Sequence, residues 1–138
     1  MRLPTLARDY WCLVSGEDRH RAARTTFEIP PLAQRKSLAL GQGAKLLFEI
    51  ESEGEDGEVS TSVDRMWVIV SRRVGEHYVG ILQNQPASIP ADGKFYLSPG
   101  AEVPFLPEHV VAIDTPPPEF SANTLTTPPT KRWRSDGA

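Results

Sequence analysis

The chain of 138 residues has room for one domain of ordinary size and not for two full ones. With 39% hydrophobic residues it can build a modest core, yet no run approaches the ~20 apolar residues of a membrane span, so we expect no membrane partner. The net charge of −3 argues against a broad phosphate-binding surface and hence against nucleic acid as a partner.

The N-terminal residues and the single cysteine bear on the compartment. Arg8 and Asp9 lie where a secretory signal peptide requires an apolar stretch. Cys12 has no second cysteine to pair with, which is typical of a reducing compartment. We interpret it as a small buried hydrophobe rather than a reactive thiol, and we expect a cytoplasmic protein.

The first third of the chain alternates β-prone segments with polar ones. Residues 9–14, 25–29 and 44–51 are β-prone. Residues 17–24 are polar and are compatible with a helical turn or a loop. Residues 32–38 follow a proline pair, which favours the start of a helix.

Residues 51–62 are strongly acidic. Four carboxylates surround two glycines between residues 53 and 58. The ligand order of an EF-hand is absent, so the pattern predicts a mobile acidic loop in preference to a calcium site.

Residues 64–86 carry the strongest β pattern of the chain. Apolar side chains occupy both alternating sets of positions, with Met66, Val68 and Val70 on one face and Trp67 and Ile69 on the other. A strand of this kind is covered on both sides, which predicts a buried Trp67. A glycine-containing turn at residues 74–76 leads into a second strand at residues 76–83.

After this hairpin, short apolar pieces alternate with turns rich in glycine and proline, as far as residues 107–113. Short strands separated in this way, with one or two brief helices, predict a mainly β (α+β) fold. We expect a small bent antiparallel sheet or a partly open β-barrel, in a single domain that spans residues 1–114.

The composition changes at residue 115. Residues 115–138 hold five of the 13 prolines and five threonines, with few large apolar side chains. Such a segment buries too little surface to offset its ordering entropy, which predicts a flexible, disordered C-terminal tail. Near its end Lys131, Arg132, Trp133 and Arg134 combine charge with an aromatic ring, a weak signal for single-stranded nucleic acid.

The end of the second hairpin strand is the best candidate for a binding site. Proline cannot continue the ladder and asparagine favours turns, so residues 84–86 end the strand. Arg65 and Trp67 lie across the hairpin from this end. A tryptophan beside amides and a guanidinium is common at recognition surfaces, and the predicted ligand- or partner-binding residues are Arg65, Trp67, Asn84 and Gln85.

The sequence contains no recognisable catalytic pattern. None of the three histidines, His20, His77 and His109, has a partner at the helical spacing of a metal site. A nucleophile elbow and a cysteine–histidine pair are also absent. We therefore expect no catalytic residue, no metal and no cofactor, and an enzyme would have to assemble its site from His77, His109 and acidic residues through the fold.

Five motifs, taken together, resemble the bacterial DUF2314 domain over roughly residues 20–114. They are residues 43–50, the MWV strand at 65–68, residues 78–82, the N-x-P strand end at 84–86, and residues 100–105. Two departures are Ala101, where the pattern usually has aspartate, and the missing Asp-Trp pair around residues 109–114. The family has no established activity, so the resemblance implies a fold and no particular chemistry.

Three functions are compatible with these observations. The preferred one is a non-catalytic cytoplasmic module that binds a protein or a small-molecule ligand. The second is a metal-dependent or hydrolase-like enzyme using His77 and His109. The third is a nucleic-acid accessory protein that acts through its basic tail.

Overall fold

The computed structural model describes residues 1–134 and shows a mainly β domain. Its strands are β1 (Trp11–Leu13), β2 (Gly43–Glu53), β3 (Val59–Val74), β4 (His77–Leu82), β5 (Glu102–Phe105) and β6 (Ala112–Asp114). All named strand pairs are antiparallel, in the order β1-β2-β3-β4-β5, and β6 also pairs with β2. The sheet curls into a half-barrel, which confirms the predicted bent antiparallel sheet.

The helices are short: one precedes β1, one follows β6 and the others lie between strands. They are α1 (Leu6–Asp9), α2 (Gly16–Ala22), α3 (Leu32–Arg35), α4 (Pro118–Thr126) and a 3-10 helix at Pro107–His109. Residues 25–29, which are β-prone, form turns and irregular structure instead of a strand. Within residues 1–134, no helix has the length and apolar character needed to cross a lipid bilayer.

The hairpin of β3 and β4 forms the centre of the sheet, as the sequence predicts. Its turn lies at residues 75–76, where Gly75 has φ 60°, a left-handed conformation that favours glycine. Met66, Val68 and Val70 point into the core. There they join large buried side chains from the neighbouring strands, including Phe48, Tyr78 and Phe105.

The opposite face of β3 is covered unevenly. Ile69 is 2% exposed, whereas Trp67 is only partly buried. The cover comes from residues that follow β6: the Ser121 hydroxyl donates to the Gly41 carbonyl oxygen at 2.7 Å and holds α4 against this face. The prediction of a strand with two covered faces is therefore confirmed for Ile69 and wrong for Trp67, which keeps part of its indole in solvent.

The acidic segment is a projecting hairpin and not a loop. β2 and β3 stay in register as far as the pair Glu53 and Val59, so the turn is confined to residues 54–58. Alternating β-branched and small residues at 59–63 suit a strand, which is why the predicted mobile loop at residues 51–62 is wrong. We name residues 51–64 the acidic arm; side chains from residue 53 to residue 63 are all exposed.

The C-terminal segment, residues 115–134, returns to the body. After α4, Lys131 pairs with Ala101 in a parallel bridge. Trp133 is 6% exposed and packs its ring against Trp11 and Tyr96, with centroid distances of 5.7 and 5.6 Å. The predicted flexible tail is therefore wrong for residues 115–134, because a buried tryptophan supplies the apolar contact that offsets the ordering entropy. Residues 135–138 lie outside the described part of the chain.

Candidate functional site

The two residues that follow β4 are tied to the backbone of Trp67 by two hydrogen bonds. The Trp67 N–H donates to Asn84 Oδ1 at 2.8 Å, and the Trp67 carbonyl accepts from the Gln83 N–H at 2.9 Å. Asn84 thus replaces the backbone carbonyl that a continued strand would have offered. Because its Oδ1 is occupied in this way, the exposed Asn84 presents the two N–H donors of its amide to solvent.

An open cleft of about 300 Å³ lies over this point, and we name it the Trp67 cleft. The sheet supplies Gly43, Trp67 and Ile69, the strand ends supply Gln83, Asn84 and Asp114, and the C-terminal segment supplies Pro116, Pro117 and Phe120. One wall is therefore aromatic and prolyl, while the rim carries two amides and a carboxylate. Few but oriented polar groups around an apolar surface are typical of ligand sites.

The indole of Trp67 is held in place by β2. A Cβ at Gly43 would lie 3.4 Å from the Trp67 ring, so the ring rests against a bare stretch of backbone. Lys45, directly opposite Trp67 in the ladder, places its ammonium 5.6 Å from the ring centroid. This cation–π contact and the glycine fix the ring on one side and leave its remaining surface to the cleft.

The rim amides have complementary roles. Gln83 Nε2 donates to the Ile81 carbonyl at 2.8 Å, which leaves Gln83 Oε1 as an acceptor. Asn84 offers donors, as its Oδ1 accepts from Trp67, and Asp114 is an exposed carboxylate. A bound group can therefore both receive and donate hydrogen bonds while an apolar part contacts the indole.

Two of the four predicted site residues line this cleft, and two do not. Trp67 and Asn84 come together as expected. Arg65 lies on the same face of β3, but its guanidinium sits over the ring of Phe27 at 5.7 Å. Gln85 donates its amide to the Ile89 carbonyl at 2.9 Å and closes the following loop. Both serve local structure outside the cleft.

The residues missed by sequence reasoning come from the C-terminal segment. Pro116, Pro117 and Phe120 form one side of the cleft. The signal was present as a proline run followed by an isolated phenylalanine in an otherwise polar stretch. A lone large apolar residue in such a segment is a candidate anchor, although its docking site cannot be found without the fold.

The two histidines of the enzyme hypothesis are in different environments. His77 begins β4 and is partly buried, and burial lowers its pKa below the ordinary value. His109 is 5% exposed, and its Nδ1 accepts from the Leu106 N–H at 3.0 Å. Burial, with a smaller contribution from His77, lowers the pKa of His109 to about 4. His109 is thus neutral near pH 7 and stabilises the turn at the 3-10 helix.

A second cleft, of about 530 Å³, lies near these histidines without including them. It is bordered by the turn of the β3–β4 hairpin and by the 3-10 helix, and charged side chains of both signs line it, among them Glu17, Lys36, Arg73, Glu76 and Glu108. Across residues 1–134, no group of three or more His, Cys, Asp or Glu side chains has an arrangement that could hold a metal ion. The described residues therefore place neither His77 nor His109 in a metal-binding group.

No family model, curated protein or solved structure matches this chain. The resemblance to DUF2314 stays a prediction that rests on its motifs. The structure does join two of these motifs, because Asn84 of the N-x-P strand end binds the backbone of Trp67 in the MWV strand.

The basic end of the chain is used for packing. Lys131 donates through Nζ to the Phe95 and Tyr96 carbonyls and to the Ser98 hydroxyl. The Trp133 N–H donates to buried Glu102 at 2.9 Å, and its indole N–H donates to the Arg2 carbonyl at 3.1 Å. A ring held in this way is not on the surface to stack on a base. Trp133 therefore does not supply the stacking that the nucleic-acid hypothesis requires.

Cys12 has the environment of an unreactive thiol. It is partly buried on β1, and its Sγ donates to Glu49 Oε1 at 3.6 Å. Burial and the neighbouring carboxylate raise the pKa of the thiol to about 11. The thiolate is therefore scarce at neutral pH, in line with the interpretation of Cys12 as a small packed side chain.

Proposed function

We propose that this protein is a non-catalytic binding module for a protein or a small-molecule ligand, and that the Trp67 cleft is its binding site. The observation that carries the proposal is a partly exposed tryptophan at the base of an open cleft whose rim amides are already oriented. Preorganised polar groups beside an aromatic surface lower the entropic cost of binding.

The cleft favours a compact ligand. A volume of about 300 Å³ lies at the small end of ligand pockets and suits one ring or one side chain of a partner. The apolar part of the ligand, aromatic or prolyl, contacts Trp67 and Phe120. Its polar part accepts from the Asn84 amide and donates to Gln83 Oε1 or Asp114.

The cleft can be tested through the indole N–H signal of Trp67. Trp11 and Trp133 are only 2% and 6% exposed, so a ligand in the cleft should shift the Trp67 signal and leave the other two unchanged. We would titrate the full chain with small ring compounds that carry a carboxamide, and with proline-containing dipeptides, using two-dimensional NMR.

Phe120→Ala and Phe95→Ala form a matched pair of variants. Both phenylalanines are 49% exposed, but only Phe120 lines the cleft. Phe120→Ala should weaken binding by about fivefold or more, which corresponds to ~1 kcal/mol of lost aromatic contact, and Phe95→Ala should bind as the wild type does. If no compound shifts Trp67, or if the two variants weaken binding equally, the cleft is not the site.

A further inference from the structure

The outer edge of the acidic arm has no strand partner. β4 pairs with β3 from Val68 to Val74, and the residues that follow β4 stay beside β3 as far as Asp64, whose Oδ2 accepts from the Ala87 N–H at 3.1 Å. Between Val59 and Val63, β3 pairs on its other side with β2 alone. Within residues 1–134, no strand covers the free side of this five-residue stretch, which is roughly 15 Å long.

The backbone groups at this edge can be identified from Trp67. Its N–H and carbonyl both point toward the β4 side, where they bind Asn84 and Gln83. Alternate residues of an antiparallel strand repeat that direction. The N–H and carbonyl groups of Val59, Thr61 and Val63 therefore point outward along the free edge.

The side chains on the free edge itself include two exposed valines, and those of the next strand, β2, are acidic. Val59 and Val63 are 62% and 40% exposed. Across the ladder Glu53, Glu51 and Glu49 lie directly opposite Val59, Thr61 and Val63, so each pair shares one face of the hairpin. A strand added at the edge would lie about 10 Å from the glutamate column, a gap that the long side chain of lysine or arginine covers.

We propose that this edge binds an extended, basic peptide segment of a partner protein by β-strand addition. The main chain of the peptide pairs with Val59, Thr61 and Val63. Its lysine or arginine residues, at every second position, lie on the face of Glu49, Glu51 and Glu53. Strand addition of this kind takes affinity from the backbone and specificity from alternate side chains.

Charge favours this occupant over a second copy of the chain. Residues 46–64 contain seven carboxylates and no basic residue. Two such arms paired edge to edge would set two like-charged hairpins side by side, with their glutamate columns about 14 Å apart and no opposite charge between them. A basic strand at the same edge gains opposite-charge pairs instead.

The test uses the full chain and a seven-residue peptide, acetyl-KVKTKVK-amide, with a block-ordered peptide of the same composition, acetyl-KKKKVTV-amide, as the comparison. We expect the alternating peptide to bind at least tenfold more tightly and to shift the amide signals of Val59, Thr61 and Val63. One alternate set of peptide N–H groups faces β3 and the other faces solvent. N-methylation of the first set should abolish binding, and N-methylation of the second should leave it nearly unchanged.

Two double variants separate the arm from general electrostatics. Glu51→Gln with Glu53→Gln removes two charges from the arm, and Glu76→Gln with Glu119→Gln removes two exposed charges elsewhere. The first should weaken peptide binding by roughly two- to thirtyfold, from 0.2–1 kcal/mol per exposed ion pair, and the second by less than twofold. Phe120→Ala should not change peptide affinity, which keeps this site distinct from the Trp67 cleft.

Three results would overturn the proposal. Equal affinity for the alternating and block-ordered peptides would indicate simple charge attraction. Binding that tolerates N-methylation of both alternate sets would exclude backbone pairing. A dimer in sedimentation experiments, with protected amides at residues 59, 61 and 63 and no peptide affinity, would show that a second copy occupies the edge.

Discussion

The acidic arm and the C-terminal segment are both polar, but they relate to the body in opposite ways. The arm extends the β2–β3 ladder beyond the other strands, and its side chains from residue 53 to residue 63 are exposed. The C-terminal segment crosses the sheet as α4 and ends with Trp133 in the core. The arm is thus ordered by its own cross-strand pairs, and the segment by its attachment points.

The attachment of the C-terminal segment combines apolar and polar contacts. Trp133 packs against Trp11 and Tyr96, and the Arg2 guanidinium lies 4.4 Å from its ring centroid. Buried Glu102 accepts the Trp133 N–H and lies 3.6 Å from Arg72. Burying a carboxylate is unfavourable unless it is paired, so these contacts act as one unit. The arm contains no comparable cluster.

Removing the main attachment should produce the largest effect. Trp133→Ala deletes a buried aromatic side chain and should lower the free energy of unfolding by about 3–5 kcal/mol. Arg132→Ala, at the exposed neighbouring position, should change it by less than about 0.5 kcal/mol. Urea denaturation of both variants measures the difference. A loss below 1 kcal/mol for Trp133→Ala would instead support the flexible tail that the composition of the segment predicts.

The sheet could be predicted because its signals are local. Alternating apolar residues located β2 and the β3–β4 hairpin to within a few residues, and glycine located the turn at residue 75. The length of the arm was missed because clustered acidic residues indicate a loop when cross-strand pairing is not considered. The pairs from Phe48 and Asp64 to Glu53 and Val59 supply that pairing, and it is visible only in the register.

The candidate site was predictable only in part, for a physical reason. Trp67 and Asn84 lie on adjacent strands of one hairpin, so their proximity follows from local chain geometry. Phe120 reaches the same cleft from a distant part of the sequence, and nothing in its neighbours specifies a partner. Trp133 shows the same limitation, since its partners Trp11 and Tyr96 are long-range contacts.

The region that leads into the C-terminal segment should also make the free energy of unfolding depend on pH. His109 precedes β6, which leads into the C-terminal segment, and its pKa of about 4 lies below the ~6.5 of an unfolded histidine. The unfolded chain therefore binds a proton more readily between these values. This contribution to stability is fully present above pH ~6.5 and is lost as the pH falls toward 4, by roughly 2–4 kcal/mol.

Urea melts between pH 7 and 4.5 measure this loss. The range avoids Asp9, whose pKa is held below its ordinary value of 3.8, chiefly by hydrogen bonds from Arg2, and which therefore loses its contribution only in stronger acid. His109→Asn retains an acceptor for the Leu106 N–H without the titrating ring, and it should flatten the dependence on pH. Equal slopes for this variant and the wild type would mean that His109 is not the responsible group.

Shortening the acidic arm should have the smallest effect on stability. Ser52 and Ser60 are directly paired, and their backbone groups face each other, so replacing residues 53–59 with Asn-Gly joins them through a two-residue hairpin turn. The deleted side chains are exposed from residue 53 onward and lie outside the core, so the free energy of unfolding should change by less than about 1 kcal/mol. The alternating basic peptide, in contrast, should lose at least tenfold in affinity because its pairing edge is shorter. A loss of more than 2 kcal/mol in urea melts would show that the arm supports the body, and the contrast with the C-terminal segment would then fail.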